Sequence, residues 1–139
     1  MDDLKKAKQI LSQGEYTCVL CRDETVLTSS HRGVRPLLDL ISSKQDLSGF
    51  SAADKVVGRA TAFLYCLLGV RTVHGVILSD GAAAVLAEHG VAFSWDSRVA
   101  GIRNRDNTGP CPMEQATLGI SQPEEALKAI YEKLKSLQS

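Results

Sequence analysis

From Thr25 to Trp95 the chain alternates β-favouring runs with segments of helical character, in the order strand, helix, strand, helix, strand. This alternation restricts the fold more than any other feature. Parallel strands need long crossovers, usually helices, and those helices must cover the faces of the sheet. An α/β domain is therefore expected. Thr72 to Leu78 is a continuous β-favouring run, as befits a central strand covered on both sides. Val91 to Trp95 is another strand, and Val99 to Arg103 is a candidate for a fifth. Upstream, Tyr16 to Arg22 and Thr25 to Ser29 flank the polar pair Asp23-Glu24 and read as a hairpin.

The helices are marked by spacing and by their ends. Leu4, Ala7, Ile10 and Leu11 give Met1 to Ser12 one apolar face, and Gly14 follows as a stop. Pro36 suits the first turn of a helix running to about Ser43. A polar linker, Ser42 to Ser51, separates it from the next. Ser51, with Asp54 three residues on, resembles a capping box and predicts a helix from Ser51 to Leu68, closed by Gly69. Its body is apolar around most of its circumference, so burial is expected. Ser79 or Asp80 caps a helix to His89, with Gly90 beyond it. Cys111-Pro112-Met113-Glu114 looks like a helix start, and Pro123 to Leu137 is a terminal amphipathic helix.

At 139 residues the chain has room for one domain, residues 1–139, with a single modest core. Lys and Arg number 16 against 16 Asp and Glu, and this neutral balance without a basic block argues against a nucleic-acid-binding surface. No stretch approaches the ~18 apolar residues of a membrane span, and the start MDDLKKAKQ lacks the apolar core of a signal peptide. Four irregularly spaced cysteines are too few for a disulfide scaffold. The expectation is a cytoplasmic protein with reduced thiols, with neither a membrane nor a nucleic acid as partner.

Cys18 and Cys21 match the C-x-x-C spacing, but on a strand positions three apart point to opposite faces and lie about 10 Å apart. They are expected to be small core residues. Cys111 differs: it stands at or beside a helix N-cap, where unpaired N–H groups favour a thiolate, and the polar loop Asn104 to Gly109 precedes it. An inert cap, with Glu114 in a capping box, is the competing reading. Lys55 and Arg59, one turn apart on the expected helix Ser51–Leu68, suggest an anionic ligand or a carboxylate partner; first-turn solvation explains them as well. Ser79-Asp80-Gly81-Ala82-Ala83 follows a central strand and opens a helix, a good location for anion binding although it matches neither phosphate-loop motif. His74 is expected in the core and His89 at a helix end. His31, with Arg32 and Arg35, forms a basic loop. No histidine pair has metal-ligand spacing.

These elements in this order resemble the cytidine deaminase-like fold. More narrowly, Asp54-Lys55-Val56-Val57-Gly58-Arg59-Ala60, Ile77-Leu78-Ser79-Asp80-Gly81, Asn104-Arg105 and Cys111-Pro112-Met113-Glu114 resemble domain-of-unknown-function family 1893 over nearly the whole chain. The resemblance implies a three-layer α-β-α sandwich on a mixed sheet of about five strands. Zinc deaminases carry His/Cys-x-Glu at the start of the second helix and P-C-x-x-C at the start of the third. By placement, Ala53-Asp54-Lys55-Val56 stands at the first position and Ser79-Asp80-Gly81-Ala82-Ala83 at the second, with Asp80 and Ala83 in place of the cysteines. One carboxylate and a methyl cannot complete a tetrahedral zinc site, so neither metal nor cofactor is expected.

The resulting expectation is a zinc-independent domain that binds a small polar or anionic molecule through Lys55, Arg59, Ser79, Asp80, Gly81, Asn104 and Arg105. As an enzyme it would use Cys111 for nucleophilic or redox chemistry and Asp54 or Glu114 for proton transfer. A non-catalytic binding or sensing module is the alternative. A third reading is a homo-oligomer or interaction subunit built on the apolar run Val56 to Leu68.

Overall fold

The computed structural model describes residues 2–31, 33–103 and 111–138. Five strands form one mixed sheet in the order β2-β1-β3-β4-β5. They are β1 (Cys18–Arg22), β2 (Thr25–Ser29), β3 (Ser51–Val57), β4 (Thr72–Ser79) and β5 (Ala92–Val99). The hairpin β1–β2 is antiparallel, as is β1 against β3, whereas β3, β4 and β5 run parallel. Asp23 makes the hairpin turn with a positive φ of 54°, which Asp tolerates better than most residues.

Side-chain alternation divides the sheet between two helical layers. Val19, Cys21 and Ala53 face helix α1 (Asp3–Gln13) through Ala7 and Leu11. Cys18, Leu20, Ala52 and Val73 face the larger layer, which contains α2 (Arg35–Ser42), α3 (Arg59–Leu68) and α4 (Asp80–Glu88). Two further helices, α5 (Pro112–Ala116) and α6 (Pro123–Gln138), pack on α3. Cys18 and Cys21 thus point to opposite faces, as expected of a strand, and all four cysteines are free thiols. Among the described residues no helix is long and apolar enough to cross a membrane.

Two expectations fail. Residues 51–57 are not the first two turns of a helix but the strand β3, and the helix begins only at Arg59 after an extended Gly58. Alanine and a cap-like Ser51/Asp54 pair favour a helix locally. The position between β1 and β4 overrides that preference by pairing the backbone on both sides. Small side chains are what this strand needs, because Ala52 and Ala53 lie under helices on opposite faces and are fully buried. Lys55 and Arg59 therefore do not share a helix face. Ser79-Asp80-Gly81 opens the fourth helix, in keeping with the element order, and so does not stand at the third-helix start to which the deaminase resemblance assigned it. The expected separate strand at Val99–Arg103 is also absent: β5 runs on to Val99, and β3 supplies the fifth strand.

The register pairs Asp54 with Gly75 and Val56 with Ile77, leaving Lys55 and Val76 outside the ladder. Gly75 sits where a Cβ would lie 2.9 Å from the Ile77 carbonyl oxygen and 3.0 Å from Val57, a close approach that only glycine allows.

Candidate functional site

A cavity of about 660 Å³ opens at the carboxyl end of β3. Its walls come from the chain leading into β1, the starts of α2 and α3, the end of β3, and α5. The lining is mostly apolar, with Tyr16, Val34, Leu37, Val56, Ile102 and Met113, as small-molecule sites commonly are. Asp54, Lys55, Cys111 and Glu114 all line it. Four residues singled out in the sequence are brought together in this way, from β3 and from α5.

Asp54 lies at the middle of β3, next to Cys18 across the β1–β3 ladder. Tyr65, fully buried on α3, donates its hydroxyl to Asp54 Oδ2 at 2.7 Å, and the Val56 N–H donates to Oδ1 at 3.2 Å. The residue is partly exposed to the cavity, yet protein surrounds its carboxyl closely. Burial pushes that carboxyl up to about 6, and the Tyr65 hydroxyl and backbone N–H groups limit the rise. The Cys18 thiol is pushed up to about 12, first by burial and then by the Asp54 charge. Tyr65 is held well above the ordinary tyrosine value, again by burial first and by Asp54 second. Cys18 is therefore an inert thiol against a titratable carboxyl. Sequence spacing did not reveal Tyr65, because its partner lies eleven residues earlier on a different element.

Glu114 does not form a capping box with Cys111. It reaches across to α3 and accepts the Arg59 backbone N–H at 2.5 Å, capping that helix from outside. Gly58 makes room for it: a Cβ at that position would run into Glu114 Oε1. Burial raises the Glu114 carboxyl above its ordinary value, opposed by the N–H bond and the charge of Arg59. Cys111 is the N-cap of α5, makes no side-chain capping bond, and lines the cavity.

Arg59 faces elsewhere. Its guanidinium donates to the carbonyl oxygens of Thr117 at 3.1 Å and Ile120 at 2.8 Å, and lies 5.5 Å above the Phe63 ring. Its stem crosses Gly81, where a Cβ would come within 2.6 Å of Arg59 Cγ. These two sequence candidates thus meet each other and not the cavity. Ser79 caps α4 by accepting the Ala82 N–H at 3.0 Å, and Asp80 pairs with Arg98 at 2.7 Å. Arg59, Ser79, Asp80 and Gly81 all lie outside the cavity lining. Asn104 and Arg105 fall outside the described residues, as does Arg32.

Two of the histidines make structural contacts, whereas His31 is exposed on the chain after β2. His74 is buried, with Nδ1 2.7 Å from Ser94 Oγ and Nε2 3.2 Å from Asp96. His89 follows α4, with Nε2 2.9 Å from the Ser121 carbonyl oxygen. Among the described residues, no three His, Cys, Asp or Glu side chains converge as a metal site would require.

The family described as TM1506, domain of unknown function (DUF1893), matches residues 6–134. The chain belongs to this family. Its fold is similar to that of the crystal structure of a DUF1893 family protein from Thermotoga maritima, with a TM-score of 0.87. The two share 24% sequence identity over 94% of this chain and 89% of the other, which supports likeness of fold alone. No curated protein matches the chain.

Proposed function

We propose that this DUF1893 chain is a zinc-independent domain of the cytidine deaminase-like type. In this reading it binds a small polar molecule in the cavity between the starts of α2 and α3, and Asp54 is the group that exchanges a proton with it. The sheet order and the antiparallel hairpin ahead of two strand–helix units favour the deaminase-like architecture. With β3 correctly placed, the second and third helices begin at Gly33-Val34-Arg35-Pro36 and Gly58-Arg59-Ala60-Thr61. Both starts line the cavity. Zinc deaminases carry their metal ligands and general acid/base Glu at those two helix starts. Neither segment here has a His, Cys or Glu. Zinc does not fit these residues.

The observation that carries the proposal is a carboxyl on the cavity lining, held by Tyr65 at 2.7 Å and pushed up by burial to about 6. A carboxyl with that value can both take and return a proton near neutral pH, as general acid–base catalysis needs. Cys111, on the α5 wall, would offer a thiol to an electrophilic ligand in the same cavity.

Fragment screening by amide NMR tests this. Fragments that bind should perturb the amides of Thr17, Asp54, Thr61 and Met113. Thr61→Trp should fill the cavity and remove those shifts while preserving the remaining spectrum. Fragments that bind elsewhere, or bind the Thr61→Trp protein equally well, would sink the proposal.

A further inference from the structure

The charges facing the cavity point to the kind of molecule it accepts. Its described lining includes three carboxyls, those of Glu15, Asp54 and Glu114, against the single ammonium of Lys55. Their depth matters more than their number. Glu15 and Lys55 are both exposed at the rim, where opposite charges largely offset each other and water screens them. Asp54 and Glu114 are the two deeper groups, and both are acidic. Two other cations were offered by the sequence for this site: Arg105, which lies outside the described residues, and Arg59. The Arg59 guanidinium is committed to the carbonyls of Thr117 and Ile120 and is no part of the lining.

We infer that the cavity selects a small cation, an ammonium or amidinium on a compact apolar body, with Asp54 and Glu114 as its counter-charges. This rests on the cavity being the ligand site proposed above. The apolar residues Tyr16, Val34, Leu37 and Met113 would contact the body of the molecule. Asp54 retains acceptor capacity beyond the Tyr65 hydroxyl and the Val56 N–H, since a carboxylate offers about four lone-pair sites. An anion would instead enter against two desolvated carboxyls, with Lys55 at the exposed rim as its one counter-charge among the described lining residues. Of the polar and anionic ligands expected from sequence, the anionic class is thus disfavoured.

Cys111 provides the reporter, because it lines the same cavity. Three methanethiosulfonate reagents of different charge form a mixed disulfide with a thiolate and release methanesulfinate. They are the trimethylammonium-ethyl, sulfonato-ethyl and methyl compounds. Modification is read by mass spectrometry of the Cys111 peptide, and each rate is divided by that for a small free thiol. The expected result is a cation-to-anion preference on the order of tenfold at low salt. Asp54→Asn and Glu114→Gln should each reduce it. A normalised ratio at or below one in the wild-type protein overturns the inference without recourse to either variant. If the neutral methyl reagent leaves Cys111 unmodified in the folded protein but modifies it in urea, the cavity is closed. That result removes the ligand-site proposal itself, a failure distinct from a missing charge preference.

Discussion

Tyr65 Oη stands 2.7 Å from Asp54 Oδ2, joining a fully buried phenol on α3 to the one carboxyl that β3 presents to the cavity. The bond fastens helix to strand at the edge of the site. It also favours the ionised form of a carboxyl that burial disfavours.

Tyr65→Phe should therefore destabilise the protein by about 1–3 kcal/mol at pH 7.5, the usual range when a buried polar group loses its partner. The loss should be smaller at pH 4.5, where Asp54 is mostly protonated and needs the donor less. Urea denaturation at the two pH values measures the difference. An equal loss at both would mean that the hydroxyl contributes packing only.

Asp54 also predicts a pH dependence of stability. Its folded value of about 6 lies above the ~4 of an unfolded aspartate, so the folded state binds the proton more tightly. The associated stabilisation is complete below about pH 4 and is lost as pH rises through about 6. The gap between those folded and unfolded values corresponds to about 2–3 kcal/mol. Asp54→Asn should flatten this part of the curve. The raised Glu114 carboxyl acts in the same direction, so a residual slope is expected until Glu114→Gln is added. A wild-type protein that becomes more stable from pH 4 to 6.5, with no change of slope in the Asn variant, contradicts the assignment.

Arg59 holds α5 in place through its backbone N–H to Glu114 and its guanidinium to Thr117 and Ile120. Arg59→Met keeps much of the aliphatic stem but removes the charged donors. Hydrogen bonds to charged groups contribute about 1.5–3 kcal/mol. The variant should lose stability on that scale and should exchange amide hydrogens faster over residues 113–120. Exchange unchanged in that segment would show that α5 is anchored by other contacts.

Alkylation should follow burial. Cys111 lines an open cavity, whereas burial pushes Cys66 up to about 11 and Cys18 to about 12, and raises Cys21 as well. Limiting iodoacetamide at neutral pH should label Cys111 first, and Cys111→Ser should remove the fast phase without unfolding the domain. Early labelling at Cys18 or Cys21 would contradict the layer assignment of β1.

Much of this architecture was legible in residue order. The hairpin around Asp23, the strand at Thr72 and the glycine that closes α3 at Gly69, with φ 78°, each carry a local signal strong enough to specify their own backbone. The opposed faces of Cys18 and Cys21 followed from the period of a strand. The family was legible as well, through Cys111-Pro112-Met113-Glu114 and its companion segments.

What the sequence alone determined was the alternation of strands and helices; it also singled out Asp54, Cys111 and Glu114, which the fold brings to one cavity lining. The tertiary structure decided that Ser51–Val57 is a strand, because pairing with β1 and β4 outweighs the helix preference of two alanines and a cap. It also decided which charges face the cavity. Arg59 and Lys55 look alike as cations four residues apart, but the strand-to-helix break at Gly58 sends one to the Thr117 and Ile120 carbonyls after α5 and leaves the other at the cavity rim. Side-chain direction depends on which element carries each residue, and here long-range strand pairing fixed the element.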